Sequence, residues 1–382
     1  MIYVHIPFCR SFCTYCDFYS EVASRCSRDE QQKFAMFSQA LSKEAVGRAG
    51  EISDQVNTLY IGGGTPSVLP LSVFEALLRT LKDCGHAGPF EEFTVEVNPE
   101  DIVEKGEAYV EGLLNLGVNR ISMGVQSFDD GILRWMNRRH DSQTARKAYN
   151  ILEESGVPNI SIDLIFGLSQ LTDSQWNETL DKALGISFKG RLPHHISSYQ
   201  LSVEPGSALT RLVDRGEWEE ASEELCERQY AMLCSRLSEA GYHHYEISNF
   251  AQQGYEAVHN SAYWNHVPYV GLGPGAHSFI SKASRQWNEA DLGLYLRAGE
   301  SGDFSIIQGG EQLTEEQLVL EHVMLGLRTS AGLPEAYLRA NCDVQALDQA
   351  IACGNLVRRS DGAIRIPESR FFVSDSIITS LV

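Results

Sequence analysis

Residues 9–16 of the chain read CRSFCTYC and follow directly on a short apolar run, IYVHI at 2–6. The C-x3-C-x2-C spacing allows one loop, placed just after a predicted first strand, to gather three thiolates around one site. A closed structural zinc site normally has four protein ligands, and the nearest further candidates are His5 and the distant Cys26. A [4Fe–4S] cluster on three cysteines instead leaves one iron open to a small molecule. The spacing favours the open cluster over a zinc knuckle or three unligated thiols.

Short β-rich runs alternate with longer amphipathic stretches through roughly the first 200 residues, a pattern typical of βα units around a parallel sheet. Six such runs predict the strands of an incomplete (β/α)6 barrel in an α/β protein: 2–6, 57–62, 92–97, 120–125, 159–165 and 195–201. The stretches between them are long enough to form crossover helices: 30–49, 71–83, 101–116, 141–155 and 173–187. Because ligands of such sheets bind at the carboxyl ends of the strands, we expect the chemistry in the loops that follow each run.

The pattern changes beyond about residue 205. A helical stretch at 218–240 precedes a region, 241–280, that is rich in glycine and aromatic residues and has no clear period. The last part predicts three helices and a hairpin, and therefore a small winged-helix-like domain: 314–327, 333–340, 344–352, 354–358 and 363–366. We expect a partial barrel over 1–205, a connecting region over 206–310 and this C-terminal domain over 311–382.

The charge balance narrows the range of partners. The 382 residues include 31 basic and 51 acidic side chains, for a net charge of −20. Such a surface repels polyphosphate, so nucleic acid is not an expected partner. No apolar stretch reaches the ~18 residues that cross a bilayer, and the start lacks the basic and apolar regions of a signal peptide. We expect a cytoplasmic protein whose nine cysteines are mostly reduced.

At the cysteine motif the chain resembles the radical S-adenosylmethionine enzymes, whose signature is C-x3-C-x-Φ-C with an aromatic residue before the last cysteine, here Tyr15. Four further motifs recur in order near the predicted strand ends: GGGTPS (62–67), EVNP (96–99), GVQSF (124–128) and DLIFGL (163–168). Together they resemble the subgroup that contains the oxygen-independent coproporphyrinogen III oxidases and the HemW heme chaperones. The resemblance implies a [4Fe–4S] cluster on Cys9, Cys13 and Cys16, an electron donor for it, and S-adenosylmethionine, cleaved on reduction to methionine and a 5′-deoxyadenosyl radical.

The motif residues also have physical roles of their own. Glycines at 62–64 let the backbone approach a ligand closely, and carbonyls there can hold an amino group. Glu96 and Asp163 have mainly apolar neighbours in the sequence. A carboxylate in such surroundings is costly to bury unless it accepts hydrogen bonds. Arg138 can bind a carboxylate in bidentate fashion. Each of these has an alternative explanation. The glycines can form a tight turn, the two carboxylates can form salt bridges or helix caps, and Arg138 can lie at the surface. The predicted S-adenosylmethionine contacts are Tyr3, Tyr15, Gly63, Gly64, Thr65, Glu96, Gln126, Arg138 and Asp163.

Residues 259–264, HNSAYW, match the HNxxYW motif of the HemW chaperones. An imidazole is an ordinary axial heme ligand, and the aromatic pair offers a flat apolar wall with polar edges. The resemblance predicts a heme site with His259 as ligand, together with Asn260, Tyr263 and Trp264. The residues alone also allow a structural role, in which His259 and Asn260 cap a turn and the two aromatic side chains belong to the core. His277 is a second candidate ligand.

Two departures separate the chain from the coproporphyrinogen oxidases. Those enzymes have a further cysteine two residues after the third, where this chain has Phe18, and an extension before the first strand, which here begins at residue 2. We therefore expect a heme chaperone that passes heme to apo-hemoproteins, with the oxidase as the alternative. Peripheral membrane contact stays open, although a chain of this charge needs a local docking surface to approach an anionic leaflet.

Overall fold

A nine-stranded sheet forms the centre of the protein. The computed structural model describes residues 1–23, 27–52, 56–86, 88–281 and 283–382, so Cys26 lies outside the described residues. The described strands, in chain order, are β1 (Ile2–Ile6), β2 (Phe8–Cys9), β3 (Glu21–Val22), β4 (Thr58–Gly63), β5 (Glu92–Val97), β6 (Arg120–Gln126), β7 (Asn159–Phe166), β8 (His195–Gln200), β9 (His243–Glu246), β10 (Asn249–Ala251), β11 (Val270–Leu272), β12 (His277–Ser281), β13 (Ser284–Asn288), β14 (Gln308–Gln312), β15 (Leu333–Pro334), β16 (Val357–Arg358) and β17 (Ala363–Arg365).

The described α-helices cover the sheet and build the C-terminal part. In chain order they are α1 (Ser27–Gly47), α2 (Leu71–Asp83), α3 (Pro99–Asn115), α4 (Asp130–Trp135), α5 (Ser142–Glu154), α6 (Asp173–Leu184), α7 (Ala208–Asp214), α8 (Glu223–Glu239), α9 (Val258–Trp264), α10 (Leu292–Ser301), α11 (Glu315–Leu327), α12 (Glu335–Asn341), α13 (Val344–Ala352) and α14 (Ser374–Thr379). In the described parts of the chain, no helix combines the length and the apolar character needed to cross a membrane.

The central sheet confirms the prediction of an incomplete (β/α)6 barrel. Its strand order is β11-β1-β4-β5-β6-β7-β8-β10-β9. The six predicted strands, β1 and β4 to β8, pair in parallel with one another in this order. Their side chains are mostly buried because helices cover a parallel sheet, which explains the nearly continuous apolar runs in the sequence. The described strands leave the sheet open, with β11 and β9 at its edges.

Three strands of this sheet come from the region that sequence patterns could not resolve. β11 pairs in parallel with β1, while β10 and β9 continue the other edge in antiparallel fashion. β11 has three residues and β9 four, which is too short for a period of two to be recognised. The connecting region is therefore, in part, an extension of the sheet.

The C-terminal part confirms the winged-helix-like prediction. Helices α11, α12 and α13 accompany a three-stranded sheet in the order β15-β17-β16. The predicted turn joins β16 to β17, where the Arg359 N–H donates to the Ala363 carbonyl at 2.8 Å and Gly362 has a φ of 86°. The domain limits at 205 and 310 stay a prediction.

A buried carboxylate ties α1 to the edge of the sheet. Glu44 accepts hydrogen bonds from the Gly273 N–H at 2.8 Å, the Asn288 amide at 2.7 Å and the Tyr295 hydroxyl at 2.7 Å. Burial raises the pKa of Glu44, whereas these donors and Arg48 lower it. Arg48 in turn donates to the Gly271 carbonyl at 2.8 Å. The pair fixes the chain around β11 beside β1.

Glu44→Ala is expected to lower the free energy of unfolding by about 3–5 kcal/mol, because the buried donors and Arg48 lose their common partner. Urea denaturation followed by circular dichroism measures the loss. Glu51→Ala is the matched control. Glu51 also accepts from Arg48, at 2.7 Å, but its side chain is 34% exposed, so about 1 kcal/mol or less is expected. Equal losses in both variants would contradict the role assigned to Glu44.

Candidate functional site

The three cysteines lie beyond the carboxyl end of β1 and line one cavity of about 350 Å³. Their loop is held by the segment that ends α4. Thr14 donates through its N–H to the Met136 carbonyl at 3.1 Å and through its hydroxyl to the Trp135 carbonyl at 2.8 Å. The Asn137 amide donates to the Phe12 carbonyl at 2.6 Å. The loop therefore has a fixed position against the end of the sheet.

The glycine motif runs directly against the cysteine loop. Gly63 has a φ of 108°, a conformation that other residues rarely adopt. A Cβ atom on Gly64 would lie 2.8 Å from the Phe8 carbonyl oxygen and 3.1 Å from the Cys9 sulfur. Thr65 follows, with its hydroxyl 3.3 Å from the same sulfur. Gly64 thus allows a backbone approach that any side chain would prevent.

Two half-buried carboxylates face the cavity, one from β5 and one from β7. Glu96, on β5, accepts from the Tyr60 hydroxyl at 2.6 Å and from the Gly63 N–H at 3.1 Å. Burial raises the pKa of Glu96 to about 7, and the charge of Asp163 contributes to the rise. Asp163, on β7, accepts from the Ser122 hydroxyl at 3.1 Å, and burial raises its pKa as well. Both carboxylates can accept further donors from a ligand.

Arg138 lies in the cavity wall and not at the protein surface. Its Nη2 donates to the Asn98 side-chain oxygen at 2.6 Å and to the Gly124 carbonyl at 2.7 Å, while Nη1 lies 3.4 Å from the Cys13 sulfur. Its Nε is buried and has no hydrogen-bond partner within the described residues. A buried donor without a partner is costly, so Nε is suited to a ligand oxygen.

Gln126 reaches the cavity through an unusual backbone conformation. Its φ is 68°, in the left-handed region, and the register of β6 against β7 shifts between Gly124 and Gln126. Such irregularities redirect a side chain and are common beside functional sites. The predicted contacts that line the cavity are Cys9, Cys13, Cys16, Tyr15, Gly63, Gly64, Thr65, Glu96, Gln126, Arg138, Asp163 and Asn260.

Two candidates on β1 lie outside the cavity lining: Tyr3, a predicted S-adenosylmethionine contact, and His5, a candidate zinc ligand. The Tyr3 hydroxyl lies 3.1 Å from Nδ1 of His5, and Tyr3 is not part of the cavity lining. Nε2 of His5 lies 2.8 Å from the Tyr19 carbonyl oxygen, so both nitrogens of the proposed fourth zinc ligand have other partners. Among the described residues, no three His, Cys, Asp or Glu side chains are grouped as a single metal ion would need.

The HNxxYW helix, α9, packs against the amino ends of β4 and β5. His259 is 0% exposed, with Nδ1 2.8 Å from the Thr58 hydroxyl and Nε2 2.9 Å from the Tyr263 hydroxyl. Burial lowers the pKa of His259 to about 3. The Val258 and His259 N–H groups donate to the carboxylate of Glu92 at 2.8 and 3.0 Å. Heme ligation by His259 stays a prediction, and it requires these contacts to rearrange.

The other members of the heme motif and the second candidate ligand, His277, do not line one common site. Asn260 reaches the cavity, whereas Tyr263 and Trp264 are half-buried and outside its lining. His277 is exposed and stacks on Trp287, with ring centroids 6.0 Å apart.

Sequence reasoning missed several residues of the cavity. They include a tyrosine on β4, a fully buried arginine on β6, and polar residues on β8 and at the start of α3: Tyr60, Arg120, Ser197, Tyr199 and Asn98. Period-two alternation was the available signal, because Tyr60 lies on the same face of β4 as Gly62, whose added Cβ would meet its ring at 2.7 Å. Arg120 is the first residue of a predicted strand. A charged side chain at that position, with no acidic residue beside it in the sequence, indicates a partner from a distant part of the chain.

Comparison with known proteins agrees with this geometry. The model of the Radical SAM superfamily matches residues 3–183. Heme chaperone HemW from Synechocystis sp. is 34% identical over 340 residues, which is 88% of this chain and 79% of that protein. Heme chaperone HemW from Bacillus subtilis is 34% identical over 87% of this chain and 84% of its own length. The Mycobacterium tuberculosis protein of the same name is 31% identical over 100% and 94%.

The chain therefore belongs to the radical SAM superfamily and, within it, to the HemW family. Among solved structures, coproporphyrinogen III oxidase (HemN) from Escherichia coli has a TM-score of 0.80, over 99% of this chain and 89% of that one, at 23% identity. This likeness concerns the fold and confirms the α/β architecture.

Glu96→Gln tests the electrostatics of the cavity. The folded pKa of about 7 lies above the ordinary 4.5, so the stability that Glu96 contributes is complete below about pH 4.5 and is lost as pH rises through about 7. Glutamine stays neutral and still accepts from Tyr60. We compare the free energies of unfolding of the two cofactor-free proteins by urea denaturation. Between about pH 5 and about pH 8, the free energy of unfolding of the variant should rise by roughly 1–3 kcal/mol relative to that of the natural chain. A difference between the two proteins that is the same at both pH values would refute this. Glu311→Gln, at an exposed position, is the control.

Proposed function

We propose that this chain is a heme chaperone that binds a [4Fe–4S] cluster and S-adenosylmethionine and passes heme to apo-hemoproteins. The observation that carries the proposal is the similarity, at 31–34% identity, to proteins named heme chaperones over 87–100% of the chain. The proposal includes an electron donor as a partner, which would reduce the cluster. The proposal includes a location in the cytoplasm. Cysteines stay reduced in that compartment, so the three thiols remain free to bind a cluster.

The donor set fits the cluster. Cys9, Cys13 and Cys16 supply three thiolates from one loop, and thiolates are the usual ligands of iron–sulfur clusters. The loop is anchored on both sides, by the pairing of β2 with β3 and by the bonds to the end of α4. When bound, the cluster supplies the electron that cleaves S-adenosylmethionine. The protein's part is to hold the three sulfurs and leave the cavity beside them open.

The cavity fits the second cofactor by size and by charge. Its volume lies in the range of small-molecule sites. The buried Nε of Arg138 suits the carboxylate of an amino acid, and the carboxylates of Glu96 and Asp163 suit amino or hydroxyl donors. The backbone at Gly63 and Gly64 closes one wall. These residues would orient the cofactor relative to the cysteine loop and exclude water around it.

Anaerobic reconstitution is expected to give about four iron and four sulfide per chain, and Cys13→Ala should lose most of both because one of three ligands is gone. Iron and sulfide analysis with the absorption spectrum gives the result. Cys353→Ala, a free cysteine at an exposed position, should bind as much iron as the natural chain. Stoichiometric zinc with no iron–sulfur absorption would overturn the cluster proposal.

Heme transfer must be separated from porphyrinogen oxidation, because the oxidase shares the fold. The position where oxidases have a fourth cysteine is Phe18, whose side chain is exposed beside the cavity. Phenylalanine cannot ligate iron, so the difference removes a potential ligand. We therefore expect heme binding and no conversion of coproporphyrinogen III.

A paired assay tests this expectation. Heme is titrated into the protein and followed by its absorption, and in parallel coproporphyrinogen III is supplied with reductant and S-adenosylmethionine without oxygen. Heme binding with no vinyl product supports the chaperone, whereas turnover to protoporphyrinogen without heme affinity refutes it. His259→Ala should weaken heme binding at least about tenfold, as expected for loss of an axial ligand.

Thr58→Val is the matched control for His259. It removes the hydroxyl at Nδ1 and keeps the imidazole. Retained heme binding in Thr58→Val, together with loss in His259→Ala, supports direct ligation. Equal loss in both variants assigns His259 to the packing of α9, and His277→Ala then tests the second candidate.

A further inference from the structure

A chain of hydrogen bonds connects two of the three cysteine sulfurs through Asn98. The Thr65 hydroxyl lies 3.3 Å from the Cys9 sulfur, and the Asn98 amide donates to that hydroxyl at 3.1 Å. The Asn98 oxygen accepts from Nη2 of Arg138 at 2.6 Å, and Nη1 of Arg138 lies 3.4 Å from the Cys13 sulfur. Asn98 is the central member of this chain of contacts.

The helix that Asn98 begins makes this arrangement informative. Asn98 is the N-cap residue of α3, and asparagine is favoured there because its side chain accepts from the first turn. In this protein its side chain makes no cap bond. Pro99 at the first helical position and the acidic Glu100 and Asp101 support the start of α3 instead. The amide is therefore directed toward the cysteines at the expense of the helix.

The chemistry of the amide explains why asparagine suits this position. A side-chain amide both donates and accepts, so Asn98 can bond a hydroxyl and a guanidinium at once. Its backbone is fixed as well, because the Asn98 N–H donates to the Ser67 hydroxyl at 3.1 Å, which donates to Asp101 at 2.7 Å. The same Nη2 of Arg138 also donates to the Gly124 carbonyl at 2.7 Å, which fixes the guanidinium in place. The bridge thus joins the ends of β4, β5 and β6.

We propose that Asn98 is a positioning residue that holds Thr65 and Arg138 against the sulfurs of Cys9 and Cys13 and so raises the reduction potential of the cluster. The inference rests on the proposed function, since it requires the cluster. Hydrogen bonds to the sulfurs help set the potential of iron–sulfur clusters, and donors stabilise the more negative reduced state.

Asn98→Ser is the decisive variant. Serine is an equally good N-cap residue, so α3 should form, but its side chain is too short to bridge Thr65 and Arg138. We expect an unchanged iron content and a more negative midpoint potential, measured without S-adenosylmethionine in a redox titration followed by electron paramagnetic resonance. At the midpoint of the natural protein, the ratio of reduced to oxidised cluster should fall about three- to tenfold.

Variants of Thr65 give an independent test. Thr65→Val removes the hydroxyl and should lower the potential, whereas Thr65→Ser keeps it and should restore the natural value. Because Asn98 and Thr65 act through one bond, the Asn98→Ser/Thr65→Val double variant should shift the potential by less than the sum of the single shifts. Asp343→Ser replaces the N-cap of α13 and should leave the potential unchanged.

The outcomes separate this inference from the function it rests on. A natural chain that takes up no cluster refutes the proposed function. A natural chain with a cluster, together with Asn98→Ser of full iron content and natural potential, overturns the role of Asn98. If Asn98→Ser fails to retain iron, the Thr65→Val and Thr65→Ser pair decides, and equal potentials in the two overturn the proposal.

Discussion

The bonds from Thr14 to the carbonyls of Trp135 and Met136 are the contact on which the site depends. They join the cysteine loop after β1 to a segment that follows β6, more than a hundred residues later in the chain. The two meet because β4 and β5 lie between β1 and β6 in register and all four strands point the same way. The cysteine loop consequently has its geometry only when the parallel sheet has formed.

The sequence was sufficient to predict what is local and repeated. The six parallel strands are apolar runs bounded by helices, and their motifs follow because each strand ends at the same edge of the sheet. Predictions weakened where contacts are distant in sequence. β11 is short, and its place beside β1 is fixed by Glu44 and Arg48, whose partners lie more than two hundred residues away. Nothing in a linear pattern reveals such a pair.

The site shows the same limit. Asn98 lies inside a recognised motif, yet its role depends on the side chains of Thr65 and Arg138 from two other loops. His259 shows the converse, since its motif was recognisable but its surroundings were not. Thr58 and Glu92, at the amino ends of β4 and β5, enclose it through hydrogen bonds to its ring and to its backbone N–H. A motif identifies residue types, while burial and partners decide what those residues are free to do.

The packing of Tyr60 has a consequence for how two ligands influence each other. Its hydroxyl bonds Glu96 in the cavity, and its ring lies 5.1 Å from the ring of His259. Any ligand that draws His259 out of its pocket removes a neighbour of Tyr60 and alters the support of Glu96. Thermodynamic linkage makes such coupling reciprocal: each ligand changes the affinity of the other by the same factor. Tyr60 is thus the residue through which a change at α9 reaches the cavity.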